Sequence, residues 1–134
     1  MDGMNDQLEE FTKVHDEFIT EWNEVMRSGD TSSIERMTDG YYVAFFKGIN
    51  DKPIIFNRQE AITGMKQSVK QLLGATKKFE NRIIRLKDEA NAVVFYEQLI
   101  MKNAELLARL FTIENWQLSN GKWMIVRETE ESIN

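Results

Sequence analysis

Residues 114–128, ENWQLSNGKWMIVRE, decide the fold of this chain. At their centre stands Asn120-Gly121, between two runs in which apolar and polar residues alternate. Such a pair is the strongest short signal for a β-hairpin, because both residues tolerate the positive φ angles of a type I′ turn. Counting outward from that turn predicts that Glu114 faces Arg127 across the two strands. The hairpin therefore places two opposite charges on one face.

The two faces of this hairpin are both substantially apolar. The first carries Thr112, Glu114, Trp116, Ile125 and Arg127, and the second carries Phe111, Ile113, Met124 and Val126. A sheet with only one face on its own helices normally has polar residues on the other face. The pattern therefore predicts that a second copy of the protein covers the second face, in a homodimer.

Helical periodicity dominates the first part of the chain. Apolar residues recur every three or four positions from Leu8 to Val25 and predict a long helix that Gly29 ends. Residues 32–35, SSIE, have the spacing of a capping box and predict a short second helix that runs through about Met37. The long apolar stripe needs a cover, which the following strands can supply.

Strand patterns dominate the rest. Residues 41–46, YYVAFF, predict a strand, 47–53 predict a loop, and Asn57 can cap a third helix that Gly74 ends. Four more strands are predicted near 77–87, 92–102, 105–118 and 121–130, each joined to the next by a short turn. The order α-α-β-α-β-β-β-β predicts one α+β domain over 1–134. Its curved mixed or antiparallel sheet wraps around the long N-terminal helix.

Composition excludes several classes of function. The chain has 134 residues, a formal net charge of −5, no cysteine and one histidine, His15. Thiolate metal sites, disulfides and cysteine catalysis are absent, and one histidine makes no histidine-rich metal site. We therefore expect no metal and no cofactor. The negative charge argues against nucleic acid as a partner, and no apolar run has the roughly 20 residues of a membrane span. An acidic start without a signal-peptide pattern predicts a cytoplasmic location.

Two stretches resemble the nuclear transport factor 2-like superfamily, which includes SnoaL-like cyclases and steroid isomerases. EWNEVMRSGDTSSIERM (21–37) is similar to that family's helix, Gly-Asp turn and short helix. WQLSNGKWMIVRE (116–128) is similar to its tryptophan-flanked hairpin. The resemblance implies a cystatin-like cone with a pocket between the concave sheet face and the helices. It also implies dimers packed through the convex face. Since the fold hosts many activities, it does not specify a reaction.

Glu114 and Arg127 are the first candidate site, and three interpretations stay open. The favoured one is a structural ion pair that fixes the strand register. In the second, Arg127 anchors an anionic ligand. In the third, Glu114 is a catalytic acid or base, because the resemblance puts it near the position where steroid isomerases have an oxyanion-donating aspartate. The rest of that catalytic set is missing, since Phe45 or Phe46 stands where the family has its aspartate base.

The remaining candidates are weaker. The predicted ligand-binding residues of the concave face are Trp22, Tyr41, Phe45, Thr112, Trp116 and Arg127. His15 lies beside the apolar stripe and is expected to be exposed or satisfied within the core rather than catalytic. Lys77-Lys78 is expected to be a solvated pair of charges. If the turn at Asn103-Ala104 is tight, Glu97 shares the concave face and can pair with Arg82.

These patterns lead to three hypotheses about function. The first is a homodimer that binds a small, partly hydrophobic molecule, with an acidic group if Arg127 anchors it. The second is a cofactor-independent lyase, isomerase or cyclase in which Glu114 performs general acid–base chemistry. The third is an assembly module with a filled cavity.

Overall fold

The computed structural model describes residues 3–47 and 52–133. The elements are α1 (Gly3–Ser28), a 3₁₀ turn (Ser32–Ile34), β1 (Met37–Phe46), β2 (Ile54–Asn57), α2 (Arg58–Gln71), β3 (Thr76–Asp88), β4 (Asn91–Lys102), β5 (Glu105–Ser119) and β6 (Lys122–Ser132). The predicted α+β class is confirmed, and each of the last four strands lies within two residues of its predicted bounds.

One six-stranded sheet has the order β2-β1-β6-β5-β4-β3. The strands from β3 to β6 form an antiparallel meander, and β2 pairs antiparallel with β1. The single parallel pair in the described part of the sheet is β1 with β6. The sheet is therefore mixed and open, and its last strand lies in the interior, where neighbours on both sides fix its register.

Helix α1 packs on one face of the sheet, which we call the concave face; the opposite face is the convex face. Phe11, Phe18 and Val25 of α1 are buried at the spacing the sequence predicts. Trp116 of β5 meets the Phe18 ring edge-on, with 5.1 Å between centroids. Gly29, with φ of +82°, ends the helix by donating its N–H to the Val25 carbonyl at 2.8 Å. An L-residue with a side chain rarely adopts that φ, which explains the glycine.

The predicted second helix is wrong. Only one 3₁₀ turn forms over Ser32–Ile34, and Met37 already begins β1. The capping box is absent because its side chains bond elsewhere. The Ser32 hydroxyl donates to Asp30 at 2.7 Å, and Glu35 accepts from the Thr31 hydroxyl at 2.7 Å. Without a cap and with a strand following at once, the turn does not extend into an α-helix.

Helix α2 begins as predicted. Asn57 and Glu60 form a reciprocal capping box, in which each side chain accepts from the other's backbone N–H at 2.9 and 3.0 Å. The short strand β2, which pairs with β1, was not predicted from the sequence. Residues 48–51 of the predicted loop 47–53 lie outside the described residues.

A β-bulge in the last hairpin overturns the predicted Glu114–Arg127 pair. The turn is as predicted, and Trp116 faces Ile125, but the next pair is Asn115 with Arg127. Val126 is the extra residue, so Glu114 faces Glu128 instead. A shift of one residue moves every later side chain to the other face. Arg127 therefore lies on the convex face, where its Nε donates to Asn115 Oδ1 at 3.1 Å.

A second bulge bends β3 between Glu80 and Ile83, and within it Asn81 has a φ of +56°. The irregularity turns Arg82 toward α1, where its guanidinium donates to Asp16 at 2.7 Å. The prediction that Arg82 pairs with Glu97 on the concave face is therefore wrong. Glu97 accepts from Arg109 at 2.6 Å and from Asn81 at 2.6 Å instead.

Candidate functional site

A cavity of about 370 Å³ lies between the concave face of the sheet and the two helices. Its volume falls within the range of roughly 300–1,000 Å³ that small-molecule sites occupy. Most of its wall is apolar and includes Phe18, Trp22, Met37, Val43, Met65 and Ile125. The exposed wall residues, which include Phe56, Glu60 and Ser68, lie on β2 and α2. The cavity therefore opens beside α2.

Two carboxyl groups of β6 line this cavity. Because the bulge at Val126 shifts the face of every later residue, Glu128 and Glu130 point to the concave side. Glu128 accepts a hydrogen bond of 2.6 Å from the Tyr41 hydroxyl. Burial raises the pKa of the Glu128 carboxyl well above its usual value, and the nearby Glu114 and Glu130 charges raise it further. The protonated form of the Glu128 carboxyl is therefore more stable here than it would be in water.

Glu130 differs from Glu128 in its contacts. Its carboxyl lines the cavity beside Phe45 and makes no hydrogen bond within the described residues. Burial raises the pKa of Glu130, and the Lys77 charge opposes that rise. A protonated carboxyl in an apolar space can donate a proton to a bound molecule, and its carboxylate can accept one.

Lys77 extends into the same cavity from the start of β3. Its Nζ lies 3.3 Å from the centroid of the Trp22 ring, a cation–π contact. The amine forms no ion pair within 4.0 Å in the part of the chain that the structure describes. Burial lowers the pKa of Lys77 to about 8, although the Glu130 and Glu128 charges oppose the shift. The expectation of a solvated Lys77-Lys78 pair is wrong for Lys77, because strand alternation sends only Lys78 to solvent.

Gln98 of β4 adds an amide to the polar groups of the cavity. Its side chain is only 4% exposed and lines the cavity. Among residues 3–47 and 52–133, its amide has no hydrogen-bond partner. Direct strand partners share a face, so the pairings of Lys77 with Ile100 and Phe79 with Gln98 make Lys77 and Gln98 diagonal neighbours. Thus an amide, an amine and a carboxyl that have no hydrogen-bond partner in the described part of the chain line one mainly apolar cavity.

Glu114 lies outside that wall, at the centre of a buried network. It is 0% exposed and accepts three hydrogen bonds: from His15 Nε2 at 2.8 Å, Trp116 Nε1 at 2.9 Å and the Tyr96 hydroxyl at 2.6 Å. Burial and the Glu114 charge raise the pKa of Tyr96 well above its usual value, so the hydroxyl keeps its proton and donates it. An ionised carboxylate only accepts hydrogen bonds, and its two oxygens can accept all three of these.

The network continues through His15 to the surface. Arg82 Nη1 lies 3.0 Å from His15 Nδ1. A guanidinium only donates, so we assign the lone pair to Nδ1 and the hydrogen to Nε2, which donates it to Glu114. His15 is 0% exposed and its ring nitrogens are both bonded, which makes it a satisfied core residue. The sequence allowed either this role or an exposed one.

The structure separates the predicted site residues into three groups. Trp22, Tyr41 and Phe45 line the cavity. Glu114, Thr112 and Trp116 are buried in the core next to it, and the Thr112 hydroxyl has no hydrogen-bond partner among the described residues. The prediction that Arg127 lies on the concave face is wrong, for the bulge turns it outward.

The polar cavity residues that the sequence did not indicate include Lys77, Gln98, Glu128 and Glu130. The sequence carried no local signal for the two glutamates, because residues 123–126, WMIV, are all apolar and do not mark where the alternation breaks. For Lys77 and Gln98 the sequence offers no such signal either, since their pairing follows from the sheet.

Two features are absent from the described residues. These residues include no group of three or more histidine, aspartate or glutamate side chains that is placed to hold a metal ion. No helix in the same ranges is both long and apolar enough to cross a membrane.

Comparison with known proteins gives the fold and no activity. No protein-family model and no curated protein sequence matches this chain. A protein of unknown function with a cystatin-like fold from Nostoc punctiforme superposes with a TM-score of 0.67 at 13% identity, over 87% of this chain and 86% of that one. An NTF2-like protein with a cystatin-like fold from Novosphingobium aromaticivorans gives 0.67 at 12% identity, over 100% and 92%. The chain has the NTF2-like, cystatin-like fold. This confirms the predicted resemblance at the level of fold.

The same fold also occurs in a eukaryotic protein of the comparison. The yeast Ubp3-associated protein Bre5 superposes with a TM-score of 0.68 at 10% identity, over 87% of this chain and 92% of that chain. At such identities the likeness extends to the backbone alone, so the function must follow from the side chains of the cavity.

Proposed function

We propose that this protein binds a small, partly apolar molecule in the cavity, with the polar group of that molecule against Gln98, Glu130 and Lys77. The supporting observation is that these three side chains lack hydrogen-bond partners among the described residues, although they line a mainly apolar space. A polar group held away from water without a partner costs free energy. A ligand's hydroxyl, amide, carbonyl or amine would supply the missing partner.

The charge of the cavity narrows the ligand further. Three carboxyl groups and one amine of the described residues line it, so an acidic ligand would meet Glu60, Glu128 and Glu130 with only Lys77 to balance its charge. The hypothesis of an acidic ligand depended on Arg127, which lies on the convex face. We therefore propose a neutral or basic polar group. An assembly module with a filled cavity is disfavoured by the volume of the space.

A matched series of three ligands tests this proposal. 3-Phenylpropanol, 3-phenylpropylamine and 3-phenylpropanoate share one apolar skeleton and differ only in the terminal group. By isothermal titration we expect the alcohol and the amine to bind and the carboxylate to bind most weakly. The proposal fails if neither the alcohol nor the amine binds at millimolar concentration, or if the carboxylate binds best.

Gln98→Leu probes the polar end of the cavity. Losing one hydrogen bond of about 0.5–1.5 kcal/mol should weaken binding of the alcohol roughly two- to tenfold. Gln117→Leu is the matched control, because Gln117 is exposed on the same sheet. Equal affinities of the two variants would place the ligand elsewhere.

A second candidate function is proton transfer by the carboxyl groups of β6. The observation that favours it is the raised pKa of both Glu128 and Glu130 inside an apolar cavity. Glu114 is a poorer base, since its oxygens already accept three hydrogen bonds. The ring opening of 5-nitrobenzisoxazole requires only a base and reports this activity. We expect the wild type to open the ring faster than buffer does, and we expect Glu130→Gln to lose this excess rate. An unchanged rate in that variant would exclude Glu130 as the base.

The predicted homodimer is retained as part of the proposal, with a second copy on the convex face. Phe111 packs there on Phe95, with 5.8 Å between the ring centroids, and Ile113 beside them is 37% exposed. Met124 and Val126 are half-buried on the adjacent strand. A groove of about 380 Å³ lined by such rings is a surface that self-association would bury. The proposed location of the protein is the cytoplasm.

A further inference from the structure

Among the described residues the cavity contains one primary amine, that of Lys77, and this amine has the surroundings of a nucleophile. We propose that Lys77 condenses with an aldehyde or ketone bound in the cavity and forms an imine. The inference rests on the proposed function, because the carbonyl compound must enter the same cavity. It adds a covalent step and a chemical class, small apolar carbonyl compounds.

The position of Lys77 is fixed at both ends. The side chain of Asn23 on α1 bonds the Lys77 backbone twice, by accepting from its N–H at 3.1 Å and donating to its carbonyl at 3.2 Å. At the other end Nζ lies over the Trp22 ring at 3.3 Å from the centroid. The amine is thus held against an aromatic face, which can also stack on a cationic iminium.

The Lys77 amine forms no ion pair with any carboxylate in the described ranges. No carboxylate oxygen of residues 3–47 or 52–133 lies within 4.0 Å of Nζ, although Glu128 and Glu130 share the cavity with it. With its pKa lowered to about 8, roughly a tenth of Lys77 is unprotonated at pH 7, whereas a solvated lysine is almost wholly protonated. An amine desolvated in an apolar pocket is one of the ways in which proteins activate lysine.

The step needs one group that transfers protons, and Glu130 is the one we assign. The lone pair of neutral Lys77 forms a bond to the carbonyl carbon, and the carbonyl oxygen takes the proton that the attacking nitrogen releases, which gives a neutral carbinolamine. The resulting hydroxyl accepts another proton from the Glu130 carboxyl, the carbon–oxygen bond breaks and water leaves. The products are an iminium, whose charge the Glu130 carboxylate balances, and one water molecule. No oxidant or reductant is involved.

Reductive trapping tests this inference in the wild-type chain. The protein is incubated with 3-phenylpropanal and sodium cyanoborohydride at pH 7, and the labelled lysines are mapped by peptide mass spectrometry. We expect Lys77 to be labelled at least about tenfold faster than its exposed neighbour Lys78. Excess 3-phenylpropanol should protect Lys77 and leave Lys78 unprotected. Labelling at Lys77 no faster than at Lys78 would overturn the inference.

Two variants separate chemistry from folding and from binding. Lys77→Arg keeps a cation over Trp22 and should lose the fast label, while Lys78→Arg should keep it. Glu130→Gln should slow labelling of Lys77 by a larger factor than it changes the affinity for 3-phenylpropanol; equal factors would contradict the role of Glu130 as proton donor. If Lys77→Arg does not fold, the ratio of Lys77 to Lys78 labelling in the wild type still decides.

The outcomes also distinguish the two proposals. If 3-phenylpropanol binds and Lys77 is not labelled preferentially, the covalent step is refuted and the binding function stands. If the alcohol does not bind and Lys77 is not labelled, both are refuted. Fast labelling that the alcohol does not suppress would show a reactive lysine without a specific cavity ligand, and would refute the inference as stated.

Discussion

Replacing Glu114 tests the buried network most directly. Its carboxylate is 0% exposed and is the acceptor for His15, Tyr96 and Trp116. Glu114→Ala would leave three donors unpaired in the core, at about 1–3 kcal/mol each. The sum of about 3–9 kcal/mol is comparable to the whole free energy of unfolding of a small domain, about 5–15 kcal/mol. We therefore expect this variant to be largely unfolded or strongly destabilised.

Glu114→Gln separates the effect of the charge from the effect of the hydrogen bonds. His15 and Trp116 both donate to Oε1, so the amide oxygen placed there retains both bonds. The amide nitrogen then replaces Oε2 and donates to the Tyr96 hydroxyl, which can rotate to accept. Only the charge is lost, and bonds to a charged group exceed neutral ones by about 1 kcal/mol. We expect a loss of about 1–3 kcal/mol.

Urea denaturation measures both variants. With an m value of about 1–3 kcal/mol per molar for a small domain, Glu114→Gln should lower the unfolding midpoint by about 1 M. Glu17→Gln is the matched control, because Glu17 is exposed on α1 and should keep the wild-type midpoint. A midpoint for Glu114→Ala close to that of the control would refute the reasoning, since it would mean that the three donors find other partners.

Three further predictions concern stability and assembly. Asn57→Ala removes the α2 capping box and should cost about 1 kcal/mol in urea denaturation, with Gln67→Ala in the same helix as the control. The pKa of Glu128 is raised in the folded state, so protonation of this carboxyl favours folding, and that stabilisation is lost as the pH rises. The stability of the wild type relative to Glu128→Gln should therefore fall as pH rises above about 4.3, and a constant difference would contradict the raised pKa. In analytical ultracentrifugation at micromolar concentration, Ile113→Glu should yield monomer where the wild type and Lys122→Glu sediment as dimers; a monomeric wild type would remove the dimer from the proposal.

Local signals were enough for most of the fold. The stripe from Leu8 to Val25, the glycine after it and the Asn57 cap each act within a few residues, so propensity and hydrogen bonding near in sequence determine them. The same holds for the Asn120-Gly121 turn. The short second helix failed because the residues that would cap it bond to their neighbours in a tighter turn.

The candidate site was far less accessible from the sequence. Trp22, Tyr41 and Phe45, which were predicted as ligand-binding residues with the help of the family resemblance, line the cavity. Gln98 and Lys77 meet only as diagonal neighbours of two paired strands, which no local pattern specifies. His15 and Glu114 stand 99 positions apart and become partners only when α1 packs across β5.

By itself, the sequence determined the helices that form, the meander that follows and the turn that sets the start of its last hairpin. The tertiary structure decided which side chains of β6 face inward. Counting from the turn assumes an unbroken ladder, yet β6 must also pair in parallel with β1, where Val43 faces Glu128 and Phe45 faces Glu130. One extra residue at Val126 reconciles the two pairings. Because strand side chains alternate with a period of two, that residue sends Arg127 outward and places Glu128 and Glu130 in the cavity.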